Sequence, residues 1–596
     1  MSENVLGIKM IGHDTGAAVI SNGRVIAISE ERLNRIKHSL NIFPEKSIAY
    51  CLEALSLKPE DIHLILIDRI RAPEERGTPE ELFKERNTVA FPNAKIVTVN
   101  HQEAHAASTF FASPFEDAGI LVYDGFGEDF ISHTGVKVVE SDTLFFGKGN
   151  HFTQIAKTAH RVKGRDFPYT TGIGMLYSKI SQKYIRLGKF NEGKMMGLAS
   201  YGNDSILKMF PPERWFRDYM GSIVVNARIA FARPNFRQLM RNAKSWRARI
   251  RFFYYWLTGF ASIPWSVFRR WRSKNELFPE LRLPRPRRHP KIDKLPDDYY
   301  ASVAYAVQKV LEIVCLSWAK KLFAVTQSQN IAIAGGVGLN IDANKKILDE
   351  SGFKHIFIQP GATDCGIPLG LALYGLHMVL GEPRFFKMQG AALGRPYTET
   401  EIQKALSRFS DKITYKKSAT SVHDAAAEIA RGKIIGWFTG GSEYGPRALG
   451  HRSILCDARN KDMKDIVNAR VKHREAWRPF AASVLLEDMG RYFDLKEESP
   501  FMILCADVHK NMRTKIPSVV HVDGTCRIQT VTRESNARYH ELLSEFKKLT
   551  GESIVLNTSF NLGGDPIVET PEDALDSFLR TDIDCLVIED YIIRKK

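Results

Sequence analysis

Glycine-rich turns that directly follow short apolar runs are the feature that most constrains the fold of this chain. They stand at 124–127, 334–340 and 361–366, after the runs GILVY, NIAIA and HIFIQP. Because glycine carries no Cβ, the backbone of such a turn can approach a phosphate closely. Strand-and-turn units that recur along a chain are typical of α/β folds. Separate turns of this kind predict a two-lobed nucleotide-binding fold that closes on phosphates.

The remaining periodicity also predicts an α/β protein. Ser21, Asn22 and Gly23 separate two alternating apolar runs, which predicts a β-hairpin. Further segments with the periodicity of strands or helices lie at 44–55, 64–68, 95–100, 297–323 and 433–438. A loop-like stretch at 381–397 interrupts this pattern, so we predict two domains, 1–385 and 386–596.

A basic, aromatic insertion occupies 205–295. It contains 21 lysines and arginines and 5 aspartates and glutamates, which accounts for the net charge of +16. The rest of the chain is close to neutral, so nucleic acid is not favoured as a partner. An uncharged aromatic run of 17 residues lies within 241–274, and a membrane span needs about 20 apolar residues. Three interpretations stay open: a lid or packing element over a site, a peripheral membrane contact and a true membrane span. The segment 281–291 predicts an extended strap.

Cysteine usage and the N-terminal sequence bear on location. The seven cysteines are scattered and include no C-x-x-C pair. This pattern argues against a disulfide framework or a structural zinc site and predicts a cytoplasmic protein. No basic stretch leads into an apolar one at the N-terminus, so we expect no signal peptide. A peripheral position at the inner membrane surface stays open through 241–274.

A first chemical cluster is indicated by His101 and His105. Four residues apart on a helix, they lie on one face, and both imidazoles can reach one metal ion. Two histidines with one carboxylate form a donor set compatible with Fe(II), and zinc or another divalent ion also fits it. Asp364 stands at the centre of the third glycine-rich turn. Two ordinary polar helix residues are the simpler alternative.

A second cluster lies in the C-terminal third, where basic residues stand among glycines and small polar residues. They are Arg447, Arg452, Lys472, Arg474, Arg478 and Arg527. Apolar residues surround them, so some should be buried, and a buried arginine needs an anionic partner. The planar guanidinium fork suits phosphate or carboxylate. We therefore predict a site for a small dianion, with a solvated basic face as the alternative. We find no Walker P-loop.

Motifs in both halves resemble the NodU and tobramycin carbamoyltransferase family. The N-terminal motifs are HDTGAAVI, HQEAHAAS, DGFGE, EGKMMGLASYG, AGGVGLN and GATDCG, and the C-terminal ones are GPRALGHRS, VKHREAWRPFA and NTSFN. The resemblance covers about 5–204 and 297–592. It implies an actin/Hsp70/sugar-kinase-like, TsaD-like domain followed by a YrdC-like α/β domain. His451 departs from the asparagine expected in its motif.

The resemblance also implies roles for individual residues. The metal ligands would be His101, His105 and Asp364. The catalytic residues, which would line the acyl-adenylate and acceptor pocket, would be His13, Lys37, Asp124 and Asp204. Those that bind the adenylate would be Gly125, Gly336 and Asn340. In the C-terminal domain, carbamoyl phosphate and ATP would bind at Arg447, Lys472, Arg478, Arg527, Ser559 and Asn561. Either His13 or Asp204 would be the base that accepts the proton of the acceptor.

The activity implied is that of an ATP-dependent O-carbamoyltransferase. Carbamoyl phosphate and ATP would form carbamoyl-adenylate, and the carbamoyl group would pass to a hydroxyl of a glycan or natural product. A lipopolysaccharide core sugar or a lipo-oligosaccharide would fit a membrane contact. Fe(II) and Mg²⁺ are the implied metal ions, and a homodimer stays open. The alternatives are a tRNA threonylcarbamoylation-type enzyme and a non-catalytic, ATP-dependent clamp.

Overall fold

A computed structural model describes residues 3–70, 77–131, 137–161, 170–219, 222–226, 229–231, 281–283 and 295–596. The segment 241–274, for which we predict a lid or a membrane contact, lies outside the described residues. So does most of the predicted strap at 281–291.

The first sheet is built from short strands near the N-terminus and is mixed, with two antiparallel and two parallel strand pairs. Its strands are β1 (Val5–Lys9), β2 (Gly16–Ser21), β3 (Arg24–Ser29), β4 (Leu64–Asp68) and β5 (Lys95–Val99). They lie in the order β3-β2-β1-β4-β5, in which β2 and β3 form the predicted hairpin. The helices here are α1 (Glu30–Asn34), α2 (Glu45–Ala54), α3 (Pro79–Arg86) and α4 (His101–Phe110). The strands predicted at 64–68 and 95–100 are confirmed.

A second sheet completes the N-terminal half. The strands that follow in the chain are β6 (Asp117–Tyr123), β7 (Asp129–Ile131), β8 (Lys137–Lys148), β9 (His151–Arg161), β10 (Thr170–Thr171), β11 (Phe216–Tyr219), β12 (Ser222–Asn226), β13 (Ile229–Phe231), β14 (Leu281–Leu283), β15 (Asn330–Ala334) and β16 (His355–Ile358). The second sheet has the order β16-β15-β6-β8-β7, with β9 paired to β8. The strands β10 to β14 form two small separate sheets. The accompanying helices are α5 (Ile173–Lys179), α6 (Glu192–Ala199), α7 (Ser205–Met209), α8 (Asp298–Thr326), α9 (Ile341–Glu350) and α10 (Ile367–Tyr374).

Helix α8 confirms the helix predicted at 297–323. Its N-cap is Asp297, whose side chain accepts hydrogen bonds from the backbone N–H groups of Tyr299 and Tyr300. In the part of the chain that the structure describes, α8 alone is long and apolar enough to cross a membrane, but 78% of its apolar 18-residue window is buried inside the protein. Such burial is typical of a core helix.

The C-terminal half contains a ten-stranded mixed sheet. Its strands are β17 (Ile413–Lys417), β18 (Ile435–Phe438), β19 (Arg452–Asp457), β20 (Ala481–Leu485), β21 (Phe493–Asp494), β22 (Leu504–Val508), β23 (Thr525–Val531), β24 (Ile554–Ser559), β25 (Cys585–Ile588) and β26 (Tyr591–Lys595). They lie in the order β17-β26-β25-β18-β19-β24-β20-β23-β22-β21. The helices are α11 (Glu399–Arg408), α12 (Ser421–Ala430), α13 (Met463–Val467), α14 (Met489–Tyr492), α15 (Ala537–Thr550) and α16 (Pro571–Leu579). The α/β class is confirmed, whereas the TsaD-like and YrdC-like assignments stay predictions.

The two halves pack against each other through a shared apolar core. One continuous cluster of buried side chains runs from Val5 in β1 to Ile593 in β26. Polar contacts cross the same boundary: the Arg32 side chain donates to the carbonyl oxygen of Gly445 at 2.9 Å, and Asn344 donates to that of Ile503 at 2.9 Å. This packing places the loops of both halves around one internal space.

Candidate active site

One cavity of about 630 Å³ is lined by residues of both halves. From the N-terminal half, the predicted residues in its wall are His13, Lys37, Asp124, Gly125, Gly336, Asn340 and Asp364. From the C-terminal half they are Arg447, Lys472, Arg478, Arg527, Ser559 and Asn561. The two clusters predicted separately from the sequence therefore face one common space.

The predicted metal ligands come together beside this cavity. His101 and His105 lie on α4, which follows β5, and the side chain of Asn100 caps the helix. Asp124 follows β6, and Asp364 lies in the third glycine-rich turn. Ligand atoms of these four buried residues lie within 4.8 Å of one another. Asp124, predicted only for the acceptor pocket, thus joins the donor set.

The hydrogen bonds of the two imidazoles test whether this donor set fits a metal ion. Asp68 accepts a hydrogen bond from Nδ1 of His101 at 3.0 Å, which leaves the lone pair on Nε2. That Nε2 and both ring nitrogens of His105 are buried without a hydrogen-bond partner. Buried polar atoms of this kind are costly unless something binds them. Two imidazoles with adjacent carboxylates therefore fit a divalent cation.

Lys9 and Asp68 support the donor set from behind and were not predicted. The Lys9 ammonium, fully buried, lies 3.0 Å from Asp68 and 3.4 Å from Asp364. Burial opposes the charged form of Lys9, but the two carboxylates outweigh it and raise its pKa. A signal was present in the sequence, because each residue is a charged group at the end of an otherwise apolar strand.

A group of two histidines and one aspartate lines the N-terminal part of the cavity. Asp14 lies 3.2 Å from Nδ1 of His13 and 2.8 Å from Nδ1 of His38. Burial would lower the pKa of His13, but the negative charge of Asp364 and the hydrogen bond with Asp14 outweigh it and raise the pKa to about 9. His13 therefore carries a positive charge at neutral pH. Neither Asp14 nor His38 was predicted as a site residue.

The other residues predicted for the N-terminal site differ in whether they line the cavity. Asn340 caps α9 by accepting from the Ala343 N–H, and its amide exchanges hydrogen bonds of 2.9 Å with that of Gln308. At Gly335, where φ is +89°, a side chain would collide with the carbonyl oxygen of Tyr123, so only glycine fits this turn. Asp204 lies at the start of α7, forms an exposed 3.0 Å ion pair with Lys208, and is not in the cavity wall.

The predicted anion site is a cluster of cations, which we call the cation cluster: Arg447, Lys472, Arg474, Arg478 and Arg527. Lys472 is 3% exposed, and its ammonium donates to the Asn561 side chain at 2.7 Å and to the Ser559 carbonyl. Burial, and then the charges of Arg474 and Arg478, hold the pKa of Lys472 well below its usual value.

The cation cluster has little compensating negative charge. Burial and the charge of Arg478 lower the pKa of Arg447 to about 10, and burial and Arg447 lower that of Arg527. Glu475 is the nearby carboxylate, 3.9 Å from Arg478 and 3.1 Å from Lys194 of the N-terminal half. Like charges held together in a partly buried site favour an added anion.

Two residues of the C-terminal motifs serve the scaffold and lie outside the cavity wall. Arg452 stacks on the ring of Phe438 at 3.6 Å and donates to the carbonyl oxygen of Thr439 at 3.0 Å. His451 bonds to that same carbonyl at 3.0 Å and to the Asn536 amide at 3.0 Å. The departure from asparagine at His451 is therefore accommodated locally, away from the cavity.

Comparisons with known proteins identify the family of this chain. The family model described as Carbamoyltransferase N-terminus matches residues 4–90 and 80–373, and the one described as Carbamoyltransferase C-terminus matches 426–595. Nodulation protein NolNO of Sinorhizobium fredii is 34% identical over 98% of this chain and 79% of its own. The 3'-hydroxymethylcephem-O-carbamoyltransferase of Streptomyces clavuligerus is 32% identical over 44% of this chain and 48% of its own.

Among solved structures, full-length HypF in its phosphate- and nucleotide-bound form aligns over 63% of this chain and 56% of its own, at 13% identity and a TM-score of 0.33. A score this low supports no conclusion about fold or ligands. The family models span most of the chain, and the NolNO match is nearly full-length. The chain therefore belongs to the carbamoyltransferase family and is an enzyme of carbamoyl transfer.

Proposed function

We propose that the protein is an ATP-dependent O-carbamoyltransferase that makes carbamoyl-adenylate at the cation cluster. It would use this intermediate at the donor set formed by His101, His105, Asp124 and Asp364. The observation that carries this proposal is the single cavity shared by both clusters. The field of Lys37, from the N-terminal half, reaches Lys472 and contributes to its lowered pKa. A product formed at one end of such a cavity reaches the other end without passing through bulk water.

The cation cluster suits the first half-reaction. The guanidinium groups of Arg447, Arg478 and Arg527 offer planar forks to the phosphates of carbamoyl phosphate and ATP. For the atoms to balance, one water is consumed: carbamoyl phosphate yields phosphate and carbamate. A carbamate oxygen then bonds to the α-phosphorus of ATP, and pyrophosphate leaves. Lys472, Ser559 and Asn561 form a hydrogen-bonded group that holds these charges in place. Mg²⁺ would accompany ATP.

In the second half-reaction, an acceptor hydroxyl attacks the carbamoyl carbon and AMP leaves. His101, His105, Asp124 and Asp364 would hold a divalent ion, Fe(II) in our proposal with zinc as the alternative, that polarises the donor when bound. His13 and Lys37 place positive charge where negative charge develops on the departing AMP. Gly125 and Gly336, which carry no side chain, leave room for the nucleotide, and Asn340 lies in the same cavity wall. Asp204 lies outside the cavity, so we do not propose it as the base.

The acceptor is proposed to be a hydroxyl of a glycan or natural product. The name of the Streptomyces clavuligerus relative specifies a hydroxymethyl acceptor for that protein. A lipopolysaccharide core sugar or a lipo-oligosaccharide would suit a peripheral membrane position through 241–274. A tRNA acceptor is a second candidate because the insertion 205–295 is strongly basic. Stable co-purification of tRNA would favour it.

Pyrophosphate release tests the first half-reaction. The purified protein is incubated with ATP, with and without carbamoyl phosphate, and with no acceptor. We expect release that depends on carbamoyl phosphate and is lost in Lys472→Met. Lys208→Met is the matched control, because Lys208 lies in an exposed pair with Asp204. Release that does not depend on carbamoyl phosphate, or no release at all, contradicts adenylate formation.

A further inference from the structure

Three loops with a costly backbone conformation meet at one point of the cavity wall. Asp14, His38 and Phe190 have positive φ angles of 56°, 64° and 57°. Residues other than glycine persist in this conformation only where their surroundings enforce it, and such residues cluster at functional sites. The donor set for the metal and the cation cluster use none of the three. The second half-reaction also still requires a base.

Hydrogen bonds fix the loop that carries His38. The backbone N–H of Asp14 donates to the carbonyl oxygen of His38 at 2.7 Å, and the N–H of His38 donates to the Glu31 carboxylate at 2.7 Å. The ring of Phe190 packs against the His38 ring, with centroids 4.4 Å apart. The imidazole of His38 is thus held from both sides at the cavity wall.

The carboxylate of Asp14 sets the tautomer of His38. Burial would raise the pKa of Asp14, but the hydrogen bonds with His13 and His38 lower it to about 2. An ionised carboxylate only accepts hydrogen bonds, so Nδ1 of His38 carries the hydrogen and Nε2 carries the lone pair. The described residues give that Nε2 no hydrogen-bond partner. A ring with a free lone pair, oriented by a carboxylate, has the arrangement of a general base.

We propose that His38, oriented by Asp14, is the base that accepts the proton of the acceptor hydroxyl. This inference rests on the proposed function. The hydroxyl proton passes to Nε2 of His38 while the acceptor oxygen bonds to the carbamoyl carbon. The bond from that carbon to the AMP phosphate oxygen breaks, and AMP leaves with the bonding electrons. Asp14 stabilises the imidazolium formed, and His13 supplies the neighbouring positive charge.

The same side chains also have the composition of a cation site. One ligand atom each from Asp14, Glu31 and His38 lies within 4.8 Å of the others. These groups already bind one another: Asp14 accepts from His38 and from Thr363, and Glu31 accepts from the His38 N–H. His101 and His105 differ, because Nε2 of His101 and both ring nitrogens of His105 lack hydrogen-bond partners. The geometry therefore favours proton transfer over metal binding at this point.

The test separates the two half-reactions in the full-length protein. His38→Gln is mixed with carbamoyl phosphate and ATP, and the initial burst of pyrophosphate and the later release of AMP are measured, with water as the surrogate acceptor. We expect the burst to persist and AMP release to fall about 100-fold. His423→Gln is the matched control, because its Nδ1 also lies 2.8 Å from a carboxylate, Glu545, but outside the cavity wall. Both readouts should stay unchanged in this control.

A second variant distinguishes a base from a merely structural residue. In His38→Ala, added imidazole should restore AMP release if the missing group is a base. Equal AMP release in His38→Gln and the unaltered protein overturns the proposal, as does loss of the burst in His38→Gln or failure of imidazole to restore release. No burst in the unaltered protein refutes adenylate formation itself, and the proposal with it.

Discussion

At the scale of single residues, the unpartnered ring nitrogens of His101 and His105 decide what the donor set can bind. A buried imidazole nitrogen without a partner loses its hydrogen bond to water, and a bound cation compensates that loss. Asp68 fixes the orientation of His101 through its 3.0 Å hydrogen bond. Among the described residues, none forms a hydrogen bond with the ring of His105. A bound ion would therefore be what fixes the orientation of this ring.

His105→Ala should therefore abolish metal retention. We expect the purified variant to hold far less iron or zinc than the unaltered protein, because one of two nitrogen ligands is gone. Elemental analysis after dialysis measures the metal content. His377→Asn is the control: His377 is also buried, but it bonds to the carbonyl oxygen of Glu382 outside the donor set. Equal metal content in His105→Ala and the control contradicts the assignment.

The cation cluster should oppose folding while it serves binding. Arg527→Met removes one of several like charges from a buried site, and we expect the free energy of unfolding to rise by about 1 kcal/mol. Pyrophosphate release should be lost in the same variant. Urea unfolding measures the first effect, with the exposed Arg580→Met as a control that should change stability little. A marked loss of stability in Arg527→Met would show that this guanidinium is compensated.

At the scale of elements, Glu443 organises the loop that carries Arg447. One oxygen of its buried carboxylate accepts from the backbone N–H groups of Leu449, His451 and Arg452, at 2.7, 2.8 and 2.9 Å. Burial would raise the pKa of Glu443, but the charge of His451 and these hydrogen bonds lower it. A carboxylate whose pKa is lowered in the folded state stabilises the protein at pH values above its unfolded-state pKa. This stabilisation is lost as the pH falls through the folded-state pKa.

Glu443→Gln should weaken both the fold and the anion site. We expect about 2 kcal/mol less stability at neutral pH, because the charge behind three hydrogen bonds is lost. The difference between variant and unaltered protein should shrink as the pH falls below about 4.5. Urea unfolding at several pH values checks this, and the KM for carbamoyl phosphate should rise. A pH-independent difference would mean that the charge is unimportant. The exposed Glu541→Gln is the control.

The sequence predicted the strands and helices better than it predicted the charged groups that surround the donor set. Strand β4 and helix α8 follow from apolar periodicity, and His101 with His105 follows from their spacing. Lys9 and Asp68 were missed although each ends an apolar strand, because their partners lie far away in the sequence. Asp14 was missed because it lies in the loop between β1 and β2, where no periodicity marks it. Asp204 was predicted for the acceptor pocket, yet local packing leaves it at the surface.

At the scale of the whole molecule, the shared core should make the two halves unfold together. Buried side chains from β1 to β26 belong to one cluster, so loss of either half exposes apolar surface of the other. We expect one calorimetric transition for the full-length protein. Two well-separated transitions would contradict this, since they would show that the halves are stable independently.

The cation cluster has a consequence for how the enzyme responds to its surroundings. A pocket of partly buried, weakly compensated positive charge should bind any small dianion of suitable size, including the inorganic phosphate that the proposed first half-reaction would liberate there. We therefore expect product inhibition by phosphate. Turnover should slow as cellular phosphate accumulates and recover as phosphate is consumed, which links carbamoylation of the acceptor to the phosphate status of the cell.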